Sequence, residues 1–266
     1  MAEQTVFPYL AARAAQEGAA IIFSRVLRLA GIGESQAEAQ IADLIQNQTN
    51  PTIAPLAKTS EVHLRLTARA PDRRTAERMI APLEAEIRKR LGHHIYGADD
   101  QTLEAIIGDM LRHANLTLAV AESCTGGLIG HRLTNIPGSS EYLLASLVTY
   151  SNQAKVEVLG VPSEIIAQHG AVSAETARGM AEGVRRACRA DLGLSVTGIA
   201  GPSGATPTKP IGLTYVALAH GDTTAVEEHR LRGDRLIVKE RAAQTALFLL
   251  YRLLRDSLLL RGPGPQ

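Results

Sequence analysis

From Leu116 to the C-terminus, short apolar runs alternate with longer stretches of helical period, and few architectures satisfy that alternation. Extended segments are expected over 116–121, 145–150, 192–198, 211–219 and 224–231, and helices over 125–135, 151–159, 173–190 and 234–259. Strands interleaved with helices bury both faces of one sheet under helical layers. The spacing therefore predicts an α/β unit, taken here as 99–262. Its last helix carries Leu247, Leu249, Leu250, Leu253, Leu254 and Leu258, more than one buried face needs. The surplus reads as core plus a subunit contact, so a homodimer is expected.

The first hundred residues follow another rhythm. Ile21–Leu29 reads as a strand, and Gly31-Ile32-Gly33 as a turn into a helix over 34–46 that Asn50-Pro51 stops. Two extended runs follow at 52–58 and 61–70. The second sets Val62, Leu64, Leu66 and Ala68 against His63, Arg65, Thr67 and Arg69, which predicts a half-buried strand with a basic outer face. Pro71-Asp72 opens a long amphipathic helix ending near Leu91. The order β-α-β-β-α defines a small α+β domain over 21–98. Gly92–Asp100 is expected to be a hinge, and residues 1–20 a linker-like segment.

Composition narrows the function classes. With 266 residues the chain has room for two modest cores. A net charge of +1, with only 3% aromatics and no Trp, offers neither an electrostatic footprint nor stacking platforms for nucleic acid. The sequence contains no apolar run long enough for a membrane span. Cys124 and Cys188 make no disulfide framework, so a cytoplasmic setting is expected. His113, His131, His169 and His220 are scattered without ligand spacing, and neither a metal nor a cofactor is expected.

Three segments carry chemistry. Ala121-Glu122-Ser123-Cys124-Thr125-Gly126-Gly127 sits where an apolar strand turns into a helix. A hydroxyl on such a turn stands clear of the sheet, with helix N–H groups around Thr125 to Gly127 behind it, a setting for a nucleophile and its oxyanion. Read alone, the segment fits an ordinary helix cap better than a reactive site. Val148 to Lys155 reads as a strand end followed by a helix capped at Ser151 or Asn152, with Lys155 in the first turn. Burial and the helix dipole both disfavour a charged amine there, and a neutral amine beside a serine is a workable base. A surface lysine next to a half-buried Tyr150 fits the same residues. Ser195 to Gly204 runs from an apolar strand into a glycine-rich loop that can cradle an anion, or simply form a long turn; its spacing is not the dinucleotide fingerprint.

Together and in this order, these segments resemble the CinA competence/damage-inducible family. Pro137-Gly138-Ser139-Ser140, His169-Gly170-Ala171-Val172-Ser173, Lys209-Pro210-Ile211-Gly212 and Gly233-Asp234-Arg235 add to the match. The resemblance is narrower still to the C-terminal domain shared with stand-alone nicotinamide-nucleotide amidases. It implies a three-layer α/β/α sandwich with a mixed sheet, and hydrolysis of nicotinamide mononucleotide to nicotinate mononucleotide and ammonia. By the same resemblance Ser123 is the nucleophile and Lys155 the base, with Tyr150 beside them. Arg235 holds substrate and Thr197 matches a further site position of the family; the backbone reading adds Thr125, Gly126, Gly127, Gly198 and Gly201 as substrate-binding candidates. The partner implied is a small-molecule nucleotide. Residues 21–98 resemble the KH-like middle domain of long CinA proteins, although Gly31-Ile32-Gly33-Glu34 is not the Gly-x-x-Gly loop of nucleic-acid-binding KH domains. The long form also carries a domain resembling molybdopterin-binding proteins, with a metal-dependent pyrophosphatase activity; no counterpart stands in this sequence, and residues 1–20 resemble the tail of its linker. The competing expectation is a non-catalytic nucleotide-binding or interaction domain.

Overall fold

The computed structural model describes residues 20–261 together with Pro8 and Tyr9, with side chains placed as far as Asp256. It divides between Asp100 and Gln101 into two units. The expected linker, 1–20, lies outside the described residues except for Pro8, Tyr9 and Ala20.

The first unit runs β1 (Ile21–Leu29), α1 (Glu34–Gln40), α2 (Ala42–Gln46), β2 (Thr52–Ala57), β3 (Val62–Ala70), α3 (Arg73–Leu91) and β4 (Ile95–Ala98). Its antiparallel sheet has the order β2-β3-β1-β4. The alternation read in β3 is the alternation of its burial: Val62, Leu64, Leu66 and Ala68 face the core, while Arg65 and Arg69 are exposed. Against that face α3 lays Ile80, Ile87 and Leu91, and Asp72 caps it by accepting from the Thr75 N–H. Two expectations are corrected. The helix over 34–46 is interrupted at Ile41 (φ −125°), whose fully buried side chain ends α1 and begins α2. The stretch expected to be a hinge contains β4, which closes the sheet through Leu27 opposite Ala98. Four residues with a glycine among them show no alternation to read, and only pairing with β1 makes them a strand.

The second unit comprises α4 (Leu103–Ala114), β5 (Leu118–Glu122), α5 (Leu128–Thr134), β6 (Leu143–Val148), α6 (Asn152–Leu159), α7 (Ser163–His169), α8 (Ala174–Cys188), β7 (Leu192–Gly198), β8 (Leu213–His220), β9 (Thr223–Arg230) and α9 (Arg235–Arg261). Helices α4 and α7 add to the elements expected from the sequence. The sheet order is β6-β5-β7-β8-β9, with the first three strands parallel and the last two joined antiparallel. Helices α6, α7 and α8 form one layer and α4, α5 and α9 the other, which is the expected three-layer sandwich. Small residues let α8 settle on the sheet: Ala177 and Ala181 meet Ala217 and Ala219, and a Cβ on Gly193 would lie 2.1 Å from the Ala181 carbonyl oxygen. Leu247, Leu249, Leu250 and Leu254 are buried in the chain itself, so most of the leucine surplus in α9 is core; Leu258 lies beyond the described side chains. Among the described residues no helix is long and apolar enough to cross a membrane.

Candidate active site

In a parallel sheet, ligands collect beyond the strand carboxyl ends where successive connections leave in opposite directions. Here that point is β5, flanked by β6 on one side and β7 on the other. Ser123 follows β5, Thr149 and Tyr150 follow β6, and Thr197 and Gly198 end β7. The strand pairing continues past the formal ends: Ser123 N–H donates to the Val196 carbonyl at 3.0 Å, and Thr149 N–H to the Glu122 carbonyl at 2.9 Å. The serine is thereby held in line with both neighbouring strands.

The turn after Ser123 is built by a residue that sequence reading passed over. Glu122, fully buried, accepts from the N–H groups of Gly127 (3.0 Å), Ile129 (3.1 Å) and Gly130 (2.8 Å) and from the Ser146 hydroxyl (3.0 Å). Four donors converge on one carboxylate. Helix α5 consequently starts at Leu128, with Gly127 at φ 95° as its cap, later than the expected start near Thr125. The helix N–H groups expected to receive an oxyanion are largely committed, because Gly126 also donates to the Ser123 carbonyl at 3.2 Å. Among the described residues the Thr125 N–H meets no protein acceptor, and its buried hydroxyl also lacks a partner. The signal for Glu122 was present: an acid closing a buried apolar strand just ahead of a helix N-terminus must find donors there. Glu122→Gln should destabilise the protein by about 1–3 kcal/mol, because its amide group turns a donor toward donors. Urea unfolding would read this as a lowered midpoint, and an unchanged midpoint would contradict the role.

Lys155 lies in the first turn of α6, whose cap Ser151 accepts from the Ala154 N–H at 3.0 Å. Its side chain is 1% exposed. The Nζ atom is 3.2 Å from Ser123 Oγ and donates to the carbonyls of Thr149 (2.9 Å) and Tyr150 (3.1 Å). Burial holds its pKa below the ordinary lysine value. A neutral amine has two N–H bonds and one lone pair. The two carbonyls take the N–H bonds, and the third direction faces the serine hydroxyl. Cys124, beside the serine, points elsewhere: a Cβ on Gly198 would lie 3.1 Å from its Sγ. Burial pushes its thiol up to about 12, which leaves little thiolate near neutrality.

The remaining residues form the rim. Tyr150 reaches Lys155 through its main-chain carbonyl, while its exposed side-chain hydroxyl accepts from Arg235 at 3.1 Å. Arg235 also donates to the Gly201 carbonyl at 2.7 Å, joining the glycine loop to the strand-end residues. Thr197 uses its hydroxyl to hold the Ala171 carbonyl at 2.7 Å, and Lys209 donates to the carbonyls of His169 and Val172 in the same loop. Gly198 is confined by the Thr214 hydroxyl and the Leu213 carbonyl, which a Cβ would meet at 2.7 and 2.9 Å. The structure therefore gathers Ser123, Lys155, Tyr150, Arg235 and Gly201 into one connected site. Among the described residues no group of three or more His, Cys, Asp or Glu stands close enough to hold a metal ion.

A two-unit α/β protein with a buried serine–lysine pair at its sheet switch point is the class that this geometry defines. The chain belongs to the CinA family: residues 100–254 match the CinA C-terminal domain and residues 24–97 the damage-inducible protein CinA KH domain. It is 54% identical over 235 residues to a competence-damage inducible protein of Moorella thermoacetica, covering 88% of this chain and 56% of the relative. A CinA-like protein of Kosmotoga olearia is 46% identical, with 96% of this chain and 61% of the relative covered. The chain thus spans less than two thirds of these relatives. The crystal structure of competence/damage inducible protein CihA from Agrobacterium tumefaciens superposes with a TM-score of 0.55 at 39% identity, over 57% of this chain and 93% of that one. A competence damage-inducible protein A from Klebsiella pneumoniae gives a TM-score of 0.57 at 31% identity, over 59% and 97%.

Proposed function

We propose that the second unit is an amidase that converts nicotinamide mononucleotide into nicotinate mononucleotide and ammonia. The observation that carries this reading is the buried Lys155 amine 3.2 Å from Ser123 Oγ, with no carboxylate paired to it among the described residues. Ser123 Oγ attacks the carboxamide carbon while its proton passes to Lys155. The tetrahedral oxygen anion is received by the Thr125 N–H, a main-chain donor left uncommitted in the turn. Lys155 then returns the proton to the leaving nitrogen, the C–N bond breaks, and ammonia departs. Water, deprotonated by the same amine, cleaves the ester and frees the acid and Ser123. Tyr150, Thr197 and the loop from Gly198 to Gly201 wall the substrate, and Arg235 holds it while keeping Tyr150 and Gly201 in register.

Purified protein incubated with nicotinamide mononucleotide is expected to release ammonia and nicotinate mononucleotide in equal amounts, and to continue after extensive EDTA treatment. Absence of ammonia at any substrate concentration would overturn the reading, and loss on chelation that one divalent ion restores would overturn the metal-free mechanism.

A further inference from the structure

We infer that Lys239, one helical turn beyond Arg235, is the residue that takes the phosphate monoester of the substrate, a role that rests on the amidase reading above. A Cβ built on Gly126 would lie 3.5 Å from the Lys239 Nζ, so this ammonium stands at the turn that carries Ser123. Among the described residues it has no hydrogen-bond or ion-pair partner. Arg235 is likewise bound only by a carbonyl and a hydroxyl. Of the two acids next to them in sequence, Asp234 accepts from the N–H groups of Leu236 and Ile237 at 3.0 Å each, and the exposed Glu240 makes no ion pair with Lys239 or Arg235 among the described residues. Two cations four residues apart on one helix repel each other, and Arg235 also stands in the first turn of α9, where the helix dipole disfavours it. One residue before Gly126, the buried Thr125 hydroxyl lacks a partner among the described residues. Gly126 (φ 63°) keeps the space between turn and helix clear of any side chain. An uncompensated pair of cations, an open backbone turn and an unsatisfied hydroxyl together fit a doubly charged oxyanion, and a phosphate ester is the group that a mononucleotide presents.

The test is direct binding of ribose 5-phosphate and of inorganic phosphate by calorimetry to the whole chain, as wild type, Lys239→Gln and Lys239→Arg, with thermal unfolding to verify folding. Wild type is expected to bind ribose 5-phosphate. Lys239→Gln should weaken that binding by about ten- to a hundredfold, the value of one charge-assisted hydrogen bond, and Lys239→Arg should recover most of it. For turnover, Lys239→Gln should raise KM for nicotinamide mononucleotide while leaving kcat/KM on nicotinamide riboside unchanged. Unaltered ribose 5-phosphate binding in folded Lys239→Gln would overturn the assignment, as would no binding by wild type. Inorganic phosphate bound as tightly as the ester, with no KM effect, would also overturn it by marking a general anion site. Because binding is measured without turnover, a protein that binds the ester through Lys239 yet releases no ammonia would refute the amidase reading alone.

Discussion

Ser123→Ala is expected to lower kcat on nicotinamide mononucleotide by about four to six orders of magnitude, the usual loss when a covalent nucleophile is removed. Cys124→Ala, one residue away, should stay within about tenfold of wild type, since its effect comes only from packing. The contrast rests on direction and burial. Ser123 Oγ faces Lys155 at 3.2 Å, whereas Cys124 is turned against Gly198 and its thiol is held protonated. Steady-state rates of both variants decide the matter. An enzyme inactivated by iodoacetamide, with Ser123→Ala still active, would move the nucleophile to the thiol.

Lys155→Arg should be nearly inactive, with a loss of about three orders of magnitude or more, because guanidinium cannot give up a proton at working pH. The pH dependence gives the sign. The active form has neutral Lys155, so kcat/KM should rise with pH through a group lying below the ordinary lysine value of about 10.4, then level off. Burial is the cause of that lowering. In Lys155→Arg that titration should disappear. A near-native rate in the arginine variant would mean that positive charge, and not proton transfer, is what the position supplies.

How much of this could be read before the fold was known differs from residue to residue. Ser123, Tyr150, Lys155 and Thr197 each stand at a strand-to-helix or strand-to-loop junction, and junctions follow from local apolar periodicity. Their convergence follows from the parallel order β6-β5-β7, since parallel neighbours put their carboxyl ends side by side. Three of the donors to Glu122 lie only five to eight residues on and are within reach of a local reading, whereas the fourth, Ser146, comes from another strand that no local window contains. Lys239 belongs to a helix whose register against the Ser123 turn is set by packing of α9 on α4 and the sheet. Read as sequence, it is one cation among many. Strand β4 and the break at Ile41 are tertiary in the same sense: the first exists through pairing with β1, and the second because burying Ile41 outweighs continuing the helix.

The chemistry at Ser123 can be observed directly. Mixed with excess nicotinamide mononucleotide and quenched in acid on the millisecond scale, the protein should yield a Ser123-containing peptide whose mass is raised by the substrate's acyl group. Ammonia should appear in step with that adduct, and neither should form in Ser123→Ala or Lys155→Arg. Normal ammonia release with an unmodified Ser123 peptide at every quench time would contradict the covalent serine–lysine mechanism and assign the attack to water.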